Sequence, residues 1–299
     1  MATGKGGALK RCAFLTMEDR GDFVIDDDLA LQPMAELGWD SSVLSWRQTE
    51  IPWSQFDAVI IRSTWDYYAD VDGFLDVLQR IDQESRLANS IGLVRWNLAK
   101  TYLRDLQFRK VPIVRTLWRN RPDSQMLQSC FSQMQTDELV IKPVVGANGA
   151  DTFRLSRNAK ATEFERIANT FSSRAVMIQP FMPQILAEGE YSLFYFNGRY
   201  SHAILKVPAA GEFRSQEEHG SQIRSVDPEP LLRSRVEQAV ETLNPAPLYV
   251  RVDMVRDAEN DFRVMELELI EPSLYLRTEV GAPARFAAAI NSWFKNSLA

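Results

Sequence analysis

The chain has 299 residues, 45% of them hydrophobic and 25% charged, which is ordinary for a globular protein with two or three compact lobes. Its 34 basic and 40 acidic side chains give a formal net charge of −6, and no Lys/Arg run exceeds a pair, so neither a nucleic-acid nor a membrane partner is expected. Two cysteines and two histidines are too few for a disulfide framework or for a zinc or His-rich metal centre. No apolar run approaches the roughly 20 residues that span a bilayer, and no secretory signal is recognisable, so the expected location is cytoplasmic.

Strand and helix patterns alternate in the first third of the chain. Strands are predicted at 12–16, 42–44 and 56–61, and amphipathic helices at 28–37 and 74–81. This βαβ order predicts a small parallel sheet. The segment contains no GxGxxG motif, so a dinucleotide site is not expected there.

Two helices are predicted in the middle of the chain. Asn97 is a suitable N-cap for a helix that runs through Lys100 to Leu106. A second helix pattern covers 125–134.

A lysine and a glycine-containing loop follow these helices. The predicted strand 139–143 carries Lys142 near its end and leads into Gly146 and Gly149. A loop of small residues lets backbone N–H groups approach phosphate oxygens, with a nearby lysine for charge. The loop lacks the Gly-Lys-Ser/Thr of a P-loop, and for a lone GxxG an ordinary β-turn is the favoured interpretation.

The last third is predicted to consist mainly of two antiparallel hairpins and a mobile polar loop. These segments are the strands 191–196, 199–205, 249–255 and 262–269 and the loop 209–229. Asn197 and Gly198 between the first two strands are typical of a type I′ turn.

The second hairpin concentrates charge on one face. Side chains alternate along a strand, so Arg251 and Asp253 share a face, as do Glu266 and Glu268 on the partner strand. With Asp253 opposite Glu266 and Arg251 opposite Glu268, three carboxylates and one guanidinium crowd one patch. A solvated strand face is the plain interpretation, but opposed carboxylates destabilise a sheet unless a cation lies between them. The pattern therefore favours a magnesium site.

Several short segments together resemble the ATP-grasp superfamily of carboxylate–amine ligases, in particular its glutathione-synthetase-like members, which include the O-ureidoserine cyclases. The segments are Arg62–Tyr67, Trp96–Lys100, Val140–Pro143, Ile178–Phe181, Gly189–Ser192, Arg251–Asp253 and Glu266–Ser273. The resemblance implies an α/β (α+β) ATP-grasp fold, in which a small parallel-sheet N-terminal lobe precedes two α+β lobes that clamp ATP. The corresponding lobes are 1–95, 96–182 and 183–299.

The resemblance also implies a set of nucleotide-binding residues. Lys100 and Lys142 match lysines aimed at the ATP phosphates, and 179–182 matches a hinge whose backbone binds adenine. Glu188 or Glu190 is placed for the ribose hydroxyls. The full implied nucleotide set is Lys100, Lys142, Gly146, Gly149, Gln179, Pro180, Phe181, Met182, Glu188, Glu190 and Lys206.

Metal ligands and catalytic residues follow from the same resemblance. Asp253, Glu266 and Glu268 match the Mg²⁺ ligands, although the superfamily usually has Asn where Glu268 stands, and a ligand role for Glu271 is left open. The implied catalytic residues are Lys142, which is aimed at the phosphates, Arg251, which steadies the phosphates and the tetrahedral intermediate, and Arg214, which closes over the transferred phosphate.

Substrate contacts are predicted after the third strand, beyond the carboxyl end of the sheet. Arg62 is predicted to clamp a carboxylate, with Ser63, Thr64 and Asp66 as polar contacts. The equally favoured alternative is that Trp65 and Tyr67 pack a lobe interface while Arg62 is a surface charge. Two further candidates are Ser273 and His219, although a simply solvated side chain is the slightly favoured interpretation of His219. His202 is expected to be structural.

The implied reaction has two steps, formation of an acyl phosphate from ATP and a substrate carboxylate, then attack by a nitrogen nucleophile. The substrate class is a small amino-acid-like or peptide molecule, and a homodimer is the commonest assembly for such a chain. Three alternatives stay open: an intramolecular cyclase of the O-ureidoserine type, a non-catalytic ATP-binding regulator, and a small-molecule kinase.

Overall fold

The computed structural model describes residues 9–146 and 149–297, which form three β-sheets and nine α-helices within those ranges. The strands are β1 (Lys10–Thr16), β2 (Trp39–Ser45), β3 (Ala58–Ser63), β4 (Leu87–Ala88), β5 (Leu117–Asn120), β6 (Glu138–Pro143), β7 (Phe153–Ser156), β8 (Ala175–Pro180), β9 (Glu190–Phe196), β10 (Arg199–Val207), β11 (Gln222–Ser225), β12 (Tyr249–Arg256) and β13 (Phe262–Glu268). The helices are α1 (Leu31–Glu36), α2 (Val71–Glu84), α3 (Ile91–Asn97), α4 (Tyr102–Phe108), α5 (Ser124–Met134), α6 (Ala161–Thr170), α7 (Gln184–Ala187), α8 (Pro230–Val240) and α9 (Ala282–Asn296).

The N-terminal sheet is parallel, with the strand order β2-β1-β3-β4. Alternate residues of its strands face opposite sides, as strand geometry requires. Phe14 and Ile60 pack with α1 and α9, whereas Leu15 and Ile61 pack with α2. Helices therefore cover both faces, which explains the nearly continuous apolar character of β1 and β3. The predicted parallel sheet is confirmed.

The middle sheet is antiparallel, with the order β5-β8-β6-β7, and α5 and α6 cover one of its faces. Helix α5 begins after Asp123, whose carboxylate accepts a hydrogen bond from the Met126 backbone N–H at 2.7 Å. It ends at Gln135, which adopts a left-handed conformation. This helix was predicted at 125–134, within one residue of the observed bounds.

The third sheet is antiparallel, with the order β11-β10-β9-β12-β13, and both of its faces are buried. One face, which includes Leu193 and Val252, packs against α4 and α8. The other face, which includes Phe194 and Tyr249, packs against α9 and the N-terminal sheet. The β9–β10 turn has positive φ at both central residues, 49° and 72°, so the predicted type I′ turn is confirmed.

The segment 209–229 is more ordered than predicted. Its residues 222–225 form β11, which pairs with the edge of β10, and Glu217–His219 form a short 3-10 turn. The prediction of an irregular loop was wrong for this part, because an edge strand needs only backbone pairing and few buried side chains. Polar composition alone does not reveal such a strand.

Asn97 ends a helix instead of capping one. It is the last residue of α3, and its buried side-chain amide donates to the Leu267 carbonyl at 2.8 Å and accepts from the Leu269 N–H at 2.8 Å. The predicted N-cap was therefore wrong, because this amide satisfies backbone groups at the end of β13. Lys100 lies in the turn between α3 and α4 instead of inside a helix.

A β-bulge sets the register of the acidic hairpin. Next to the turn, Met254 pairs with Val264, but one residue further along Asp253 pairs with Glu266, so Met265 is the extra residue. Without this shift Glu266 would lie on the opposite face of the sheet. The predicted pairs Asp253 with Glu266 and Arg251 with Glu268 are confirmed, and the bulge is the feature that produces them.

Each sheet falls within one of the predicted lobes, 1–95, 96–182 and 183–299, and that division stays a prediction. The packing crosses those boundaries at two places. Helix α4 packs on the third sheet, and the C-terminal helix α9 packs on the N-terminal sheet. In the part of the chain that the structure describes, every helix is too short or too polar to span a membrane.

Candidate active site

A deep cavity lies where the middle and third sheets face each other. Strands β6 and β8 supply one wall and β9, β10, β12 and β13 the other, while the segment after β3 closes one end. All three predicted lobes therefore contribute side chains to one cavity. Most of the charged residues proposed from the sequence point into it.

Asp253 is the most strongly held carboxylate of the cavity. Its Oδ1 accepts from the Ser192 hydroxyl at 2.5 Å, its Oδ2 lies 2.9 Å from Arg251 Nη2, and Lys206 Nζ is 3.5 Å away. Burial would raise the pKa of Asp253, but the charges of Arg251 and Lys206 outweigh burial and lower it to about 2. Asp253 therefore stays ionised at neutral pH.

Arg251 bridges the two strands of the hairpin. Besides Asp253 it contacts the carboxylate of Glu268, and its Nη1 donates to the Ser273 carbonyl at 3.3 Å. Burial alone would lower the pKa of Arg251, but the neighbouring Asp253 and Glu268 raise it well above its ordinary value. Glu268 differs from Asp253, because burial raises its pKa to about 7 despite the charge of Arg251.

Two lysines approach the same region from the other wall. Lys100 Nζ lies 2.6 Å from Glu266 Oε1 and 3.0 Å from the Gly146 carbonyl oxygen, so it joins the acidic hairpin to the glycine loop. Among the described residues, Lys142 has no carboxylate within 4.0 Å. Burial lowers the pKa of Lys142. Because no carboxylate neutralises it, the Lys142 side chain is available to an anionic ligand, whose charge would favour the ammonium form.

The acidic hairpin fits a hard divalent cation. Asp253, Glu266 and Glu268 each offer a carboxylate oxygen, and these oxygens lie within 4.8 Å of one another. Oxygen ligands from a few carboxylates are what Mg²⁺ binds, together with phosphate oxygens and water. The donor set therefore suits the metal that the sequence implied.

Four consecutive residues at the end of β8, 179–182, line the cavity. The Gln179 amide donates to the Thr116 hydroxyl at 2.9 Å, which fixes its side chain, and Phe181 lies under the Arg154 guanidinium at 3.8 Å. The backbone at this strand end faces a partly apolar surface that includes Met182. Such a segment suits a flat heteroaromatic ring such as adenine.

The structure separates the two glutamates proposed for the ribose. Glu190 lines the cavity and forms an ion pair with Lys206, which also lines it. Glu188 lies outside the cavity, where Arg256 contacts it at 2.9 Å and the Tyr191 hydroxyl donates to it at 2.6 Å. Of the two, Glu190 is the residue that can reach a bound nucleotide.

The segment 209–220 lies over the glycine loop. Gly149 has a positive φ of 64°, and a Cβ there would lie 3.2 Å from Gln216 Oε1 and 3.4 Å from Arg214 Cδ. Arg214 lines the cavity and is held by Glu212 at 2.6 Å. His219 lies outside the cavity, so its predicted substrate contact is not supported.

Arg62 and its polar neighbours also lie outside the cavity, which corrects the predicted carboxylate clamp. Arg62 is 1% exposed, donates to Asp27 at 2.9 Å and to the Pro272 carbonyl at 2.8 Å, and is neither a surface charge nor a ligand contact. Ser63 bonds to Thr16, and Thr64 is fully buried. The Asp66 carboxylate accepts hydrogen bonds from Trp46 Nε1 at 2.6 Å and from Arg47 Nε at 2.7 Å.

The cavity wall after β3 is aromatic instead of polar. Trp65 and Tyr67 line it, together with Glu271, Tyr275 and the predicted Ser273. Burial and the charge of Glu268 raise the pKa of Glu271 to about 8. The end of strand β3 correctly predicted the position of this wall. The residues of the segment that face the cavity are, however, the aromatic ones and not the predicted polar ones.

Comparison with known proteins agrees with this geometry. Residues 12–89 match the family described as the N-terminal domain of the D-cycloserine synthetase DcsG, and residues 109–256 match the ATP-grasp domain of prokaryotic glutathione synthetase. The chain is 31% identical over 285 residues to the cycloserine biosynthesis protein DcsG of Streptomyces lavendulae, across 89% of this chain and 93% of that protein.

The chain belongs to the ATP-grasp ligases. Glutathione synthetase of Bordetella parapertussis is a more distant relative of this ligase, 26% identical over 180 residues, which are 56% of this chain and 53% of that enzyme. The resemblance deduced from the short motifs is thereby confirmed. The chain is an ATP-dependent ligase of the glutathione-synthetase-like type, a class that joins carboxylates to amines.

Solved structures agree on the fold of this ATP-grasp ligase. The crystal structure of D-cycloserine synthetase DcsG superposes with a TM-score of 0.84 at 28% identity, over 95% of this chain and 99% of that one. The ATP-grasp ligase PsnB, complexed with minimal precursor, Mg and ADP, gives 0.64 at 15% identity, over 95% and 98% of the two chains. D-alanine–D-alanine ligase from Bacillus anthracis gives 0.66 at 12% identity, over 97% of each chain. The predicted ATP-grasp fold is confirmed.

Proposed function

We propose that this ligase activates the carboxylate of a small amino-acid-like or peptide molecule as an acyl phosphate, which a nitrogen nucleophile then attacks. The observation that carries the proposal is the convergence of four basic and three acidic side chains on one cavity, from both of its walls. They are Lys100, Lys142, Lys206, Arg251, Asp253, Glu266 and Glu268. Phosphoryl transfer needs such positioning and charge neutralisation more than it needs acid–base chemistry.

In the first step, a substrate carboxylate oxygen forms a bond to the γ-phosphorus of ATP while the bond to the β-phosphate oxygen breaks and ADP leaves. In the second, the nitrogen attacks the carbonyl carbon, phosphate leaves, and the nitrogen loses a proton. Lys142, which has no carboxylate partner in the described part of the chain, binds the phosphates, and Arg251 stabilises the charge that develops on the acyl oxygen. Asp253, Glu266 and Glu268 would hold Mg²⁺, which supplies neutralisation of the phosphate charge when bound.

The nucleotide would lie with its adenine along 179–182 and its ribose near Glu190. Lys206 pairs with Glu190 and lies 3.5 Å from Asp253, so it links the ribose end to the metal end. Arg214 would approach the transferred phosphate from segment 209–220, next to the Gly149 backbone.

An intramolecular cyclisation is the second candidate. The match to DcsG extends through the N-terminal lobe, where the aromatic cavity wall originates, and is not limited to the nucleotide-binding part. A cyclase needs one molecule that carries both the carboxylate and the nitrogen, as in O-ureidoserine. The two candidates share every nucleotide contact and differ only in whether a separate amine is required.

The nucleotide site is tested by thermal unfolding with and without Mg·ATP. At about 100 times the dissociation constant, binding should stabilise the wild type by roughly 2.7 kcal/mol. Lys142→Ala should lose this stabilisation, whereas Lys160→Ala, an exposed lysine outside the cavity, should keep it. Stabilisation that is equal in the two variants would refute the role of Lys142.

Turnover is tested by release of phosphate in the presence of O-ureido-D-serine, or of single amino acids and dipeptides with and without an added amine. Asp253→Asn should lower the rate about 100-fold or more. A cyclic product formed from one substrate molecule without an added amine identifies a cyclase, whereas a product that joins two molecules identifies an intermolecular ligase. A phosphorylated product without free phosphate identifies a kinase, and ATP binding without any turnover identifies a regulator.

A further inference from the structure

The backbone beneath the aromatic cavity wall is held by three side chains. The Tyr249 hydroxyl lies 2.8 Å from the Ile270 carbonyl, the Trp65 indole N–H donates to the Glu271 carbonyl at 2.7 Å, and Arg62 donates to the Pro272 carbonyl at 2.8 Å. Three consecutive carbonyls are thus contacted, one of them by Arg62 of β3 and one by Trp65 of the segment after β3. The Glu271 side chain therefore projects into the cavity from a preorganised backbone.

Glu271 differs from the neighbouring acidic residues in its lack of a counter-ion. Glu190 pairs with Lys206, Asp253 and Glu268 with Arg251, and Glu266 with Lys100. Over residues 9–146 and 149–297, no lysine or arginine nitrogen lies within 4.0 Å of Glu271. A negative charge without a basic partner is costly in these surroundings, so burial raises the pKa of Glu271, and a bound cation would favour its ionised form.

The surroundings of Glu271 suit an organic cation better than a metal. Its cavity neighbours Trp65 and Tyr67 present ring surface, and Trp65 is itself held against Phe23 with ring centroids 5.2 Å apart. Aromatic rings attract ammonium groups, whereas Mg²⁺ keeps its water and demands oxygen ligands. Glu271 also lies outside the group of three carboxylates whose oxygens approach within 4.8 Å of one another.

We propose that Glu271, with Trp65 and Tyr67, forms a subsite for the ammonium group of the substrate, so that the ligase selects an α-amino acid over a plain carboxylic acid. This inference rests on the proposed function, and it adds that the substrate carries a positively charged amino group. The unpaired cation of the cavity, Lys142, serves the phosphates. Glu271, which has no basic partner among the described residues, serves the amino group and ionises when that cation binds, and the substrate carboxylate lies between Lys142 and Glu271.

The test compares binding of O-ureido-D-serine with that of its desamino counterpart, 3-(ureidooxy)propionate, by calorimetry in saturating Mg·ADP. The wild type should bind the amino compound about tenfold or more tightly, because the desamino compound lacks the ammonium group that would pair with Glu271. Glu271→Gln should bind the two compounds within about threefold of each other. Glu241→Gln, the same change at an exposed position far from the cavity, should keep the wild-type preference.

The affinity for Mg·ATP separates this subsite from the metal site and from the proposed function. Nucleotide affinity within about twofold of wild type in Glu271→Gln is expected, and a large loss would make Glu271 a metal or nucleotide ligand instead. A wild type that binds Mg·ATP but binds both compounds equally, or neither, overturns the subsite while the ATP-dependent activity stands. A wild type without nucleotide binding overturns the proposed function itself.

Discussion

Charge pairing holds the side chains of the cavity, and a chain of hydrogen bonds does the same for His202, which lies on the same face of the third sheet as Lys206. Its Nε2 lies 2.9 Å from the Leu274 carbonyl, which can only accept, so Nε2 carries the proton. Its Nδ1 then accepts from the Ser201 hydroxyl at 2.9 Å, and Arg285 donates to that hydroxyl at 3.0 Å. The ring stacks on Phe194. The expectation that His202 is structural agrees with these contacts.

This arrangement predicts a loss of stability in mild acid. Burial lowers the pKa of His202 to about 4. Because the folded pKa lies below the unfolded value of about 6.5, the unfolded state binds a proton first, and stability falls as the pH decreases from about 6.5 to 4. The loss attributable to His202 is about 3 kcal/mol at the acid end of that range.

The measurement is the urea midpoint of wild type and of His202→Gln at several pH values between 7.5 and 4. The variant should be less stable at neutral pH but should show a shallower decline towards acid. Parallel curves for the two proteins would contradict a neutral, buried His202.

Among the structural elements, segment 209–220 is tied to other parts of the chain by an arginine. Arg277, from the segment after β13, contacts Glu217 of this segment at 2.5 Å and Asp26 of the N-terminal lobe at 2.9 Å. It thus connects three parts of the chain beside the cavity. Residues 213–216, four positions that line the cavity, lie directly before Glu217.

Removal of this connection should loosen the segment. Arg277→Ala is expected to raise the KM for ATP about fivefold, since partly exposed ion pairs contribute on the order of 1 kcal/mol. It should also speed proteolysis within 209–220. Arg224→Ala, an exposed arginine on β11, is the matched control and should change neither quantity. Equal effects in both variants would mean that Arg277 does not hold the segment.

On the scale of the whole molecule, the N-terminal lobe is joined to the third sheet by α9 and to the segment after β13 by Arg62, which also forms a buried ion pair inside its own lobe. Arg62 and Asp27 are 2% and 6% exposed at their side chains, and Arg62 also reaches the Pro272 carbonyl. Its guanidinium lies 5.0 Å from the Tyr249 ring and 5.5 Å from the Phe286 ring. The residue predicted to clamp substrate is therefore part of the packing between lobes.

Substitution of Arg62 should destabilise the fold without a specific effect on the nucleotide. Arg62→Met leaves Asp27 buried without a partner, at an expected cost of about 3–5 kcal/mol in the free energy of unfolding. The double variant Arg62→Met with Asp27→Leu should recover most of this loss. Denaturant unfolding measures both. A stable single variant with a raised KM for ATP would point to a ligand role for Arg62 instead.

Short-range patterns in the sequence were sufficient for much of the fold and of the site. The alternation in β12 and β13 predicted which charges share a face, and the order of strands and helices predicted the parallel sheet. The motifs around Lys142 and Asp253 predicted the nucleotide-binding family, which the comparisons confirmed. These features are readable because strand periodicity, turns and motif spacing depend on residues close together in the chain.

Long-range contacts decided what those patterns left open. Asn97 bonds to a carbonyl 170 residues away, and Arg62 to one 210 residues away, so neither partner can be inferred from neighbouring residues. Glu190 lines the cavity and Glu188 does not, because Glu188 forms an ion pair with Arg256 outside the cavity. A polar side chain in an isolated motif can serve a ligand or the protein backbone, and only tertiary packing determines which of the two it meets.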